Sequence, residues 1–263
     1  MSSSNFHKKP SLVTRLYSVW YRHIRVYNSN FWSNAFPPFF EPLIFLAGLG
    51  LGFGKYIPDM AGIPYIIYLG SGLIVTSAMY TAAFECSYGT FIRLEFDRVY
   101  DGMLGAPISA ENLIIGEIIF AGTKGFFFSI AVLAVVWGFG IITEPLSILS
   151  PFAGLLTGLM FATASIYITA YIKNINHFNF FFTGILSPMF FFSGVIFPVE
   201  ELPAAAIPIA EALPLTHAVR LARAFCVPEL LSPWLLLDLL YCIIFIIVTG
   251  WLGVRAMKRR IIL

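Results

Sequence analysis

Long, unbroken apolar runs constrain this chain more than any other feature. Phe126 to Trp137 and Tyr241 to Val248 contain almost nothing that water would solvate. Hydrophobic side chains make up 59% of the sequence and charged ones 11%, where a soluble globule usually carries about 25% charged residues. Mean hydropathy is +0.84. There is too little polar surface to coat a water-soluble fold, so lipid must serve as solvent. Barrel strands alternate apolar and polar residues over about ten positions. These runs do not alternate, so helices must satisfy the backbone hydrogen bonds, and the fold class expected is an all-α integral membrane protein.

Placing spans by apolar length, at about 20 residues each, gives six: Asn34 to Gly54, Pro64 to Phe84, Leu113 to Trp137, Leu149 to Ile172, Asn179 to Phe197 and Trp234 to Ala256. Ahead of them, Ser11 to Tyr27 puts Leu12, Leu16, Trp20, Ile24 and Tyr27 at helical spacing, with Arg15, Ser18, Arg22 and Arg25 opposite. That pattern predicts an amphipathic helix lying in the membrane surface, its basic face toward anionic headgroups. The N-terminus carries Lys8 and Lys9 but no apolar stretch with a cleavage site directly after them, so no removable signal peptide is expected.

Outside the spans, and counting Arg255 at the edge of the last one, twelve Lys and Arg fall on one side: five in the N-terminal arm, Arg93 and Arg98, Lys173, and four in the tail. The other side holds Lys55, Arg220 and Arg223. The positive-inside rule therefore puts both termini in the cytoplasm. A net charge of +2, spread in this way, does not imply nucleic acid. Cys86, Cys226 and Cys242 lack CxxC spacing, so neither a metal site nor a disulfide framework is expected.

Two connections are longer than simple turns. The cytoplasmic one, Glu85 to Asn112, interleaves acidic and basic residues and ends in Gly105-Ala106-Pro107 with Ser109 placed to cap the next helix. The external one, Pro198 to Pro233, holds two apolar stretches, Ala204 to Leu213 and Leu215 to Val227, each too short to span, which suits re-entrant or surface-lying half-helices.

Within the spans, Gly48, Gly50, Gly52 and Gly54 form overlapping GxxxG pairs, and Gly154 and Gly158 repeat the interval. Small residues at this spacing let helices approach closely, either within one subunit or between subunits. Glu41, Glu117, Lys124 and Asp238 are ionisable residues in or at the edges of spans, each costing about 2.5–3.5 kcal/mol at the bilayer centre. They should face protein or water. Glu117 and Lys124, on one face of the third span without direct contact, are pathway candidates, whereas Glu41 and Asp238 are expected to stay wet near a headgroup layer. Aromatic density peaks around the fifth span, where Phe181 and Phe191 flank Pro188, a residue that kinks a helix and can gate a path. His7, His23, His177 and His217 are scattered, as structural histidines usually are. No GxxxxGK[ST] is present, so ATP binding of that kind is not expected on this chain, and neither HExxH nor GxSxG occurs.

The cytoplasmic connection reads Ala82-Ala83-Phe84-Glu85-Cys86-Ser87-Tyr88-Gly89, then Arg93, then Ala106-Pro107-Ile108-Ser109-Ala110-Glu111 and Gly116-Glu117. This resembles the permease subunits of type-2 ABC exporters, in particular the nodulation-factor (lipo-oligosaccharide) exporter permeases. Glu41-Pro42-Leu43, Asn176-His177-Phe178-Asn179, Ser187-Pro188-Met189-Phe190 and Leu213-Pro214-Leu215-Thr216-His217 agree with it, so the likeness covers most of the chain. It implies a homodimer in a bacterial inner membrane bound to two copies of a separate ATPase, which would hold the ATP and Mg. It also implies a coupling helix in the cytoplasmic connection, where Arg93, Glu95, Phe96, Asp97, Arg98 and Tyr100 would face the ATPase, and a re-entrant external cap. Relatives with this architecture also move polysaccharides or drugs. An ion-coupled secondary transporter would instead call for an inverted repeat, and none is evident.

Overall fold

The computed structural model describes residues 10–29, 32, 36, 40, 43–52, 54, 56–57 and 59–262. Glu41, Lys55 and His7 lie outside the described residues, as does part of the first expected span. Within that span, Leu46–Leu51 is π-helical.

Helix α1 (Leu12–Ser29) starts where Ser11 Oγ accepts the amide proton of Thr14 at 3.2 Å. Val19 and His23 are buried against the long helix Ala110–Gly138, where a Cβ on Gly116 would stand 2.6 Å from Val19. Trp20 Nε1 donates to Thr123 Oγ1 at 3.0 Å. The outward face carries Val13, Tyr17, Tyr21 and Val26. Of the expected apolar stripe, Leu12 is exposed while Leu16, Trp20, Ile24 and Tyr27 turn toward the bundle.

Among the described residues, four helices are long and apolar enough to cross a membrane. They are α2 (Tyr65–Phe96), α4 (Ala110–Gly138), α5 (Pro145–Thr169) and α9 (Leu235–Ile262). Between the first two, α3 (Val99–Leu104) is a short helix in the connection. Ser109 caps α4 by accepting from the Asn112 amide, as its position in the sequence suggests. The chain then runs through α6 (residues 178–192), α7 (Ile207–Glu211) and α8 (Pro214–Cys226) before α9. A two-residue hairpin, β1 (Asp59–Met60) with β2 (Ile63–Pro64), precedes α2 and turns through Ala61 and Gly62, both at positive φ.

Glycine sets how closely α2, α4 and α5 pack. A Cβ on Gly158 would stand 3.1 Å from the Cα of Gly122, and one on Gly125 would stand 3.2 Å from both Gly158 Cα and Ala78 Cβ. Gly154 lies against Ser129 in the same seam. Gly154 and Gly158 therefore pack within one subunit. In the other glycine series, a Cβ on Gly50 would stand 3.3 Å from Ile66 and one on Gly54 would meet the Gly50 backbone, while a Cβ on Gly48 or Gly52 would meet nothing within 4 Å among the described residues. Interhelical hydrogen bonds add to the packing: Ser129 Oγ donates to the Ile74 carbonyl at 2.7 Å within the seam, and the hydroxyls of Thr163 on α5 and Thr249 on α9 lie 2.7 Å apart. Such bonds average about 0.6 kcal/mol inside membranes, so shape carries more of the packing than they do.

Two segments differ from the sequence expectation. The connection after Phe84 does not begin as a loop. α2 continues through π-helical turns at Glu85–Gly89 and Ile92–Phe96, because its polar residues find partners inside the protein. The fifth span, expected over Asn179 to Phe197, is helical only over residues 178–192, since Gly194 at φ 77° ends it in the left-handed conformation.

Candidate functional site

The π turns of α2 direct two charged side chains toward α4. Each π turn carries more residues than an α turn and so rotates the next stretch of helix about its axis. Arg93 Nη1 donates to Glu85 Oε1 at 2.8 Å, and its Nε donates to Glu117 Oε1 of α4 at 2.9 Å. Lys124 Nζ, two turns along α4, donates to Glu85 Oε2 at 2.9 Å. Glu117 and Lys124 do not touch but are joined through Glu85 and Arg93. Glu117 is 1% exposed and is surrounded by further donors. Thr90 Oγ1 donates to it at 2.8 Å, Tyr100 donates through its hydroxyl, and His23 Nε2 of α1 lies 3.4 Å away. Burial, and then the charge of Glu117, push the Tyr100 phenol well above its ordinary range, so it stays protonated as a donor. Gly89 leaves room for the pair, because a Cβ there would stand 3.1 Å from Arg93 Nη1 and 3.3 Å from Glu85 Oε1.

This ionic knot joins α1, α2, α3 and α4, and the C-terminal tail adds two clamps. Arg260 donates to Glu95 Oε1 at 2.7 Å and to the Thr169 carbonyl, and its guanidinium lies 5.3 Å from the Phe91 ring. Lys258 pairs with Glu111 at 2.6 Å. The six residues expected to face a partner therefore divide. Arg93 and Tyr100 point inward, and Glu95 is half exposed and held by Arg260. Phe96, Asp97 and Arg98 form the exposed tip, where Arg98 takes the left-handed conformation at φ 49° and reverses the chain into α3.

The aromatic segment is also mixed. Phe181 is buried, whereas Phe191 is 48% exposed. Pro188, which has no N–H to donate, lies just beyond the π turn Phe182–Leu186, at the start of the last helical stretch Ser187–Phe192.

At the opposite end of the bundle Asp238 departs from expectation. It is 7% exposed rather than wet, and it meets His217 Nδ1 at 2.6 Å and Arg220 at 3.7 Å. His217 stacks on Tyr241 at 3.9 Å between centroids, so it is tied to α9 rather than isolated. Arg220 also pairs with Glu211, whose carboxyl this hydrogen bond holds below its usual range. Sequence reasoning missed His23, Thr90 and Arg260 as partners. One signal was available, since Glu85 and Arg93 are separated by about two helical turns. Among the described residues no group of three or more His, Cys, Asp and Glu could hold a metal ion.

Residues 14–227 match the family described as ABC-2 type transporter. Nodulation protein J of Rhizobium meliloti (strain 1021) is 31% identical over 225 residues, which is 84% of each chain. Nodulation protein J of Rhizobium leguminosarum bv. viciae is 31% identical over 247 residues, 93% of this chain and 94% of that one. The inner membrane transport permease YadH of Escherichia coli (strain K12) is 27% identical over 159 residues, 56% of this chain and 62% of that one. The chain belongs to the ABC-2 type transporter family: it is a multi-pass membrane permease, not itself an ATPase, of a kind that associates with an ABC ATPase subunit.

Proposed function

We propose that this chain forms a homodimer in a bacterial inner membrane, joins two copies of a separate ABC ATPase, and exports a lipo-oligosaccharide or a related amphipathic glycan or lipid. The observation that carries the reading is the near-full-length likeness to nodulation proteins J, which agrees with the motifs around Glu85 to Glu117. Six spans with both termini inside are supported by apolar length and by the Lys and Arg count. ATP and Mg belong to the partner, and this chain supplies the conduit.

Coupling is assigned to the exposed tip. Phe96 offers an apolar surface to a partner groove, while Asp97 and Arg98 offer a charged rim. Closure of the ATPase pushes the tip, and the ionic knot behind it passes the displacement to α1, α3 and α4 together. Arg93, Glu117 and Lys124 thus act as the rigid link and not as the contact surface. Phe181, Pro188 and Phe191 belong to the segment that would widen as cargo passes.

Purification of the chain from its native membrane should retain an ATPase subunit and a lipid-linked sugar. Inverted vesicles holding the complex should accumulate a labelled lipo-oligosaccharide only with ATP, and vanadate should stop it. Accumulation without any nucleotide-hydrolysing partner would contradict the proposal.

A further inference from the structure

At the end of the bundle that the positive-inside count places outside, a cavity of about 590 Å³ opens between α8, the start of α9 and the turn after α6. Arg223 of α8 lines it and is 8% exposed. Its Nε donates to Ser71 Oγ at 3.2 Å, its Nη2 donates to the carbonyls of Tyr68 at 3.1 Å and Gly194 at 2.8 Å, and its guanidinium lies 3.6 Å over the Tyr68 ring. Nη1 has no hydrogen-bond acceptor among the described residues, and no carboxylate among them forms an ion pair with this arginine. Ser193 Oγ, on the same lining, is buried and has no hydrogen-bond partner among the described residues.

The acidic residues of the lining do not fill this role. Glu211 is held by Arg220, and Asp238 is held by His217 and Arg220. Glu200 is exposed on the lining and forms no ion pair among the described residues. Glu200 acts on Arg223 only from a distance, and a buried guanidinium with no carboxylate in contact is costly, a cost that an anion supplied from outside would offset. The remaining wall says what the anion is attached to. Leu230, Trp234 and Leu237 line the cavity and are exposed, and they continue into Leu236 and Leu240 on the outer face of α9. A tryptophan at that position suits the headgroup level of a membrane. An occupant charged at one end and apolar at the other fits both halves.

We propose that this cavity binds the phosphate-bearing head group of an anionic lipid, with Arg223 and Ser193 donating to the phosphate and the acyl side leaving along Trp234 and Leu237. The site does not depend on the cargo or on the ATPase. The full-length chain would be examined by native mass spectrometry and by fluorescent-lipid titration in vesicles of phosphatidylglycerol or of phosphatidylcholine, with inorganic phosphate as a separate ligand. Phosphatidylglycerol should bind at least tenfold tighter than phosphatidylcholine, and Arg223→Gln should abolish the preference. Glu200→Gln, a surface change that leaves folding intact, should tighten phosphatidylglycerol severalfold by removing a repulsive charge. Equal binding of the two lipids would overturn the proposal, as would a preference that survives Arg223→Gln. If Arg223→Gln fails to fold, an unchanged affinity in Glu200→Gln overturns it instead. Inorganic phosphate binding as tightly as the lipid would overturn the amphiphile assignment.

Discussion

Arg93 and Arg223 sit deep at opposite ends of one bundle, in contrasting surroundings. Arg93 meets two carboxylates, Glu85 and Glu117, each of which has further donors of its own. Arg223 meets two carbonyls, one hydroxyl and an aromatic face, and no carboxylate among the described residues. A charge matched from within holds neighbouring elements in one arrangement, whereas a charge left unmatched calls for something from outside. The first arrangement suits a part that transmits force. The second suits a part that binds.

The largest way to break the contrast is Glu117→Ala. It removes the acceptor shared by Arg93, Tyr100 and Thr90, and losing one partner of a buried charge network costs about 3–5 kcal/mol. Folded yield and melting temperature should drop together, and a variant as stable as the parent would deny the knot its structural role. Next in size is a double-mutant cycle on Glu85→Gln and Lys124→Met, which contact each other at 2.9 Å. The double variant should recover part of what the single ones lose, with a coupling of about 0.5–3 kcal/mol. Simple additivity would mean that the pair is not coupled.

The smallest effect belongs to the half-buried pair of Glu211 and Arg220. Hydrogen bonding to Arg220 lowers the folded-state pKa of Glu211, so its contribution is fully present above the unfolded value, about pH 4.3, and is lost as pH falls through the lower folded value. A surface pair of this kind is worth about 0.2–1 kcal/mol. Melting curves of the parent and of Glu211→Gln should differ slightly at neutral pH and converge in acid. A gap that widens on acidification would have the wrong sign.

The bundle was legible in the sequence because apolar length is a local property. Pro64 to Phe84, Leu113 to Trp137, Leu149 to Ile172 and Trp234 to Ala256 each fall on a long helix observed within a few residues of its predicted start. The end of α2 was not legible. Glu85 and Arg93 read as loop residues while their partners, Glu117 and Lys124, are counted far along the chain on α4. Asp238 and His217 failed in the same way, since each looks wet or isolated until α8 is laid against α9. Charges in a lipid-soluble fold are interpretable only with their partners, and partners are a tertiary fact. The glycine intervals show a related limit. Gly154 and Gly158 serve contacts within the subunit, which spacing alone does not distinguish from contacts between subunits.

The most direct test of the coupling account is Asp97→Lys at the exposed tip, with copurification of the ATPase and vanadate-sensitive hydrolysis measured beside melting temperature. Asp97 is the cleaner probe, because Glu95 also serves the Arg260 clamp. A surface substitution should leave stability within about 0.5 kcal/mol. The account predicts at least a tenfold loss of bound ATPase and of transport at unchanged melting temperature. Full retention of both would contradict it.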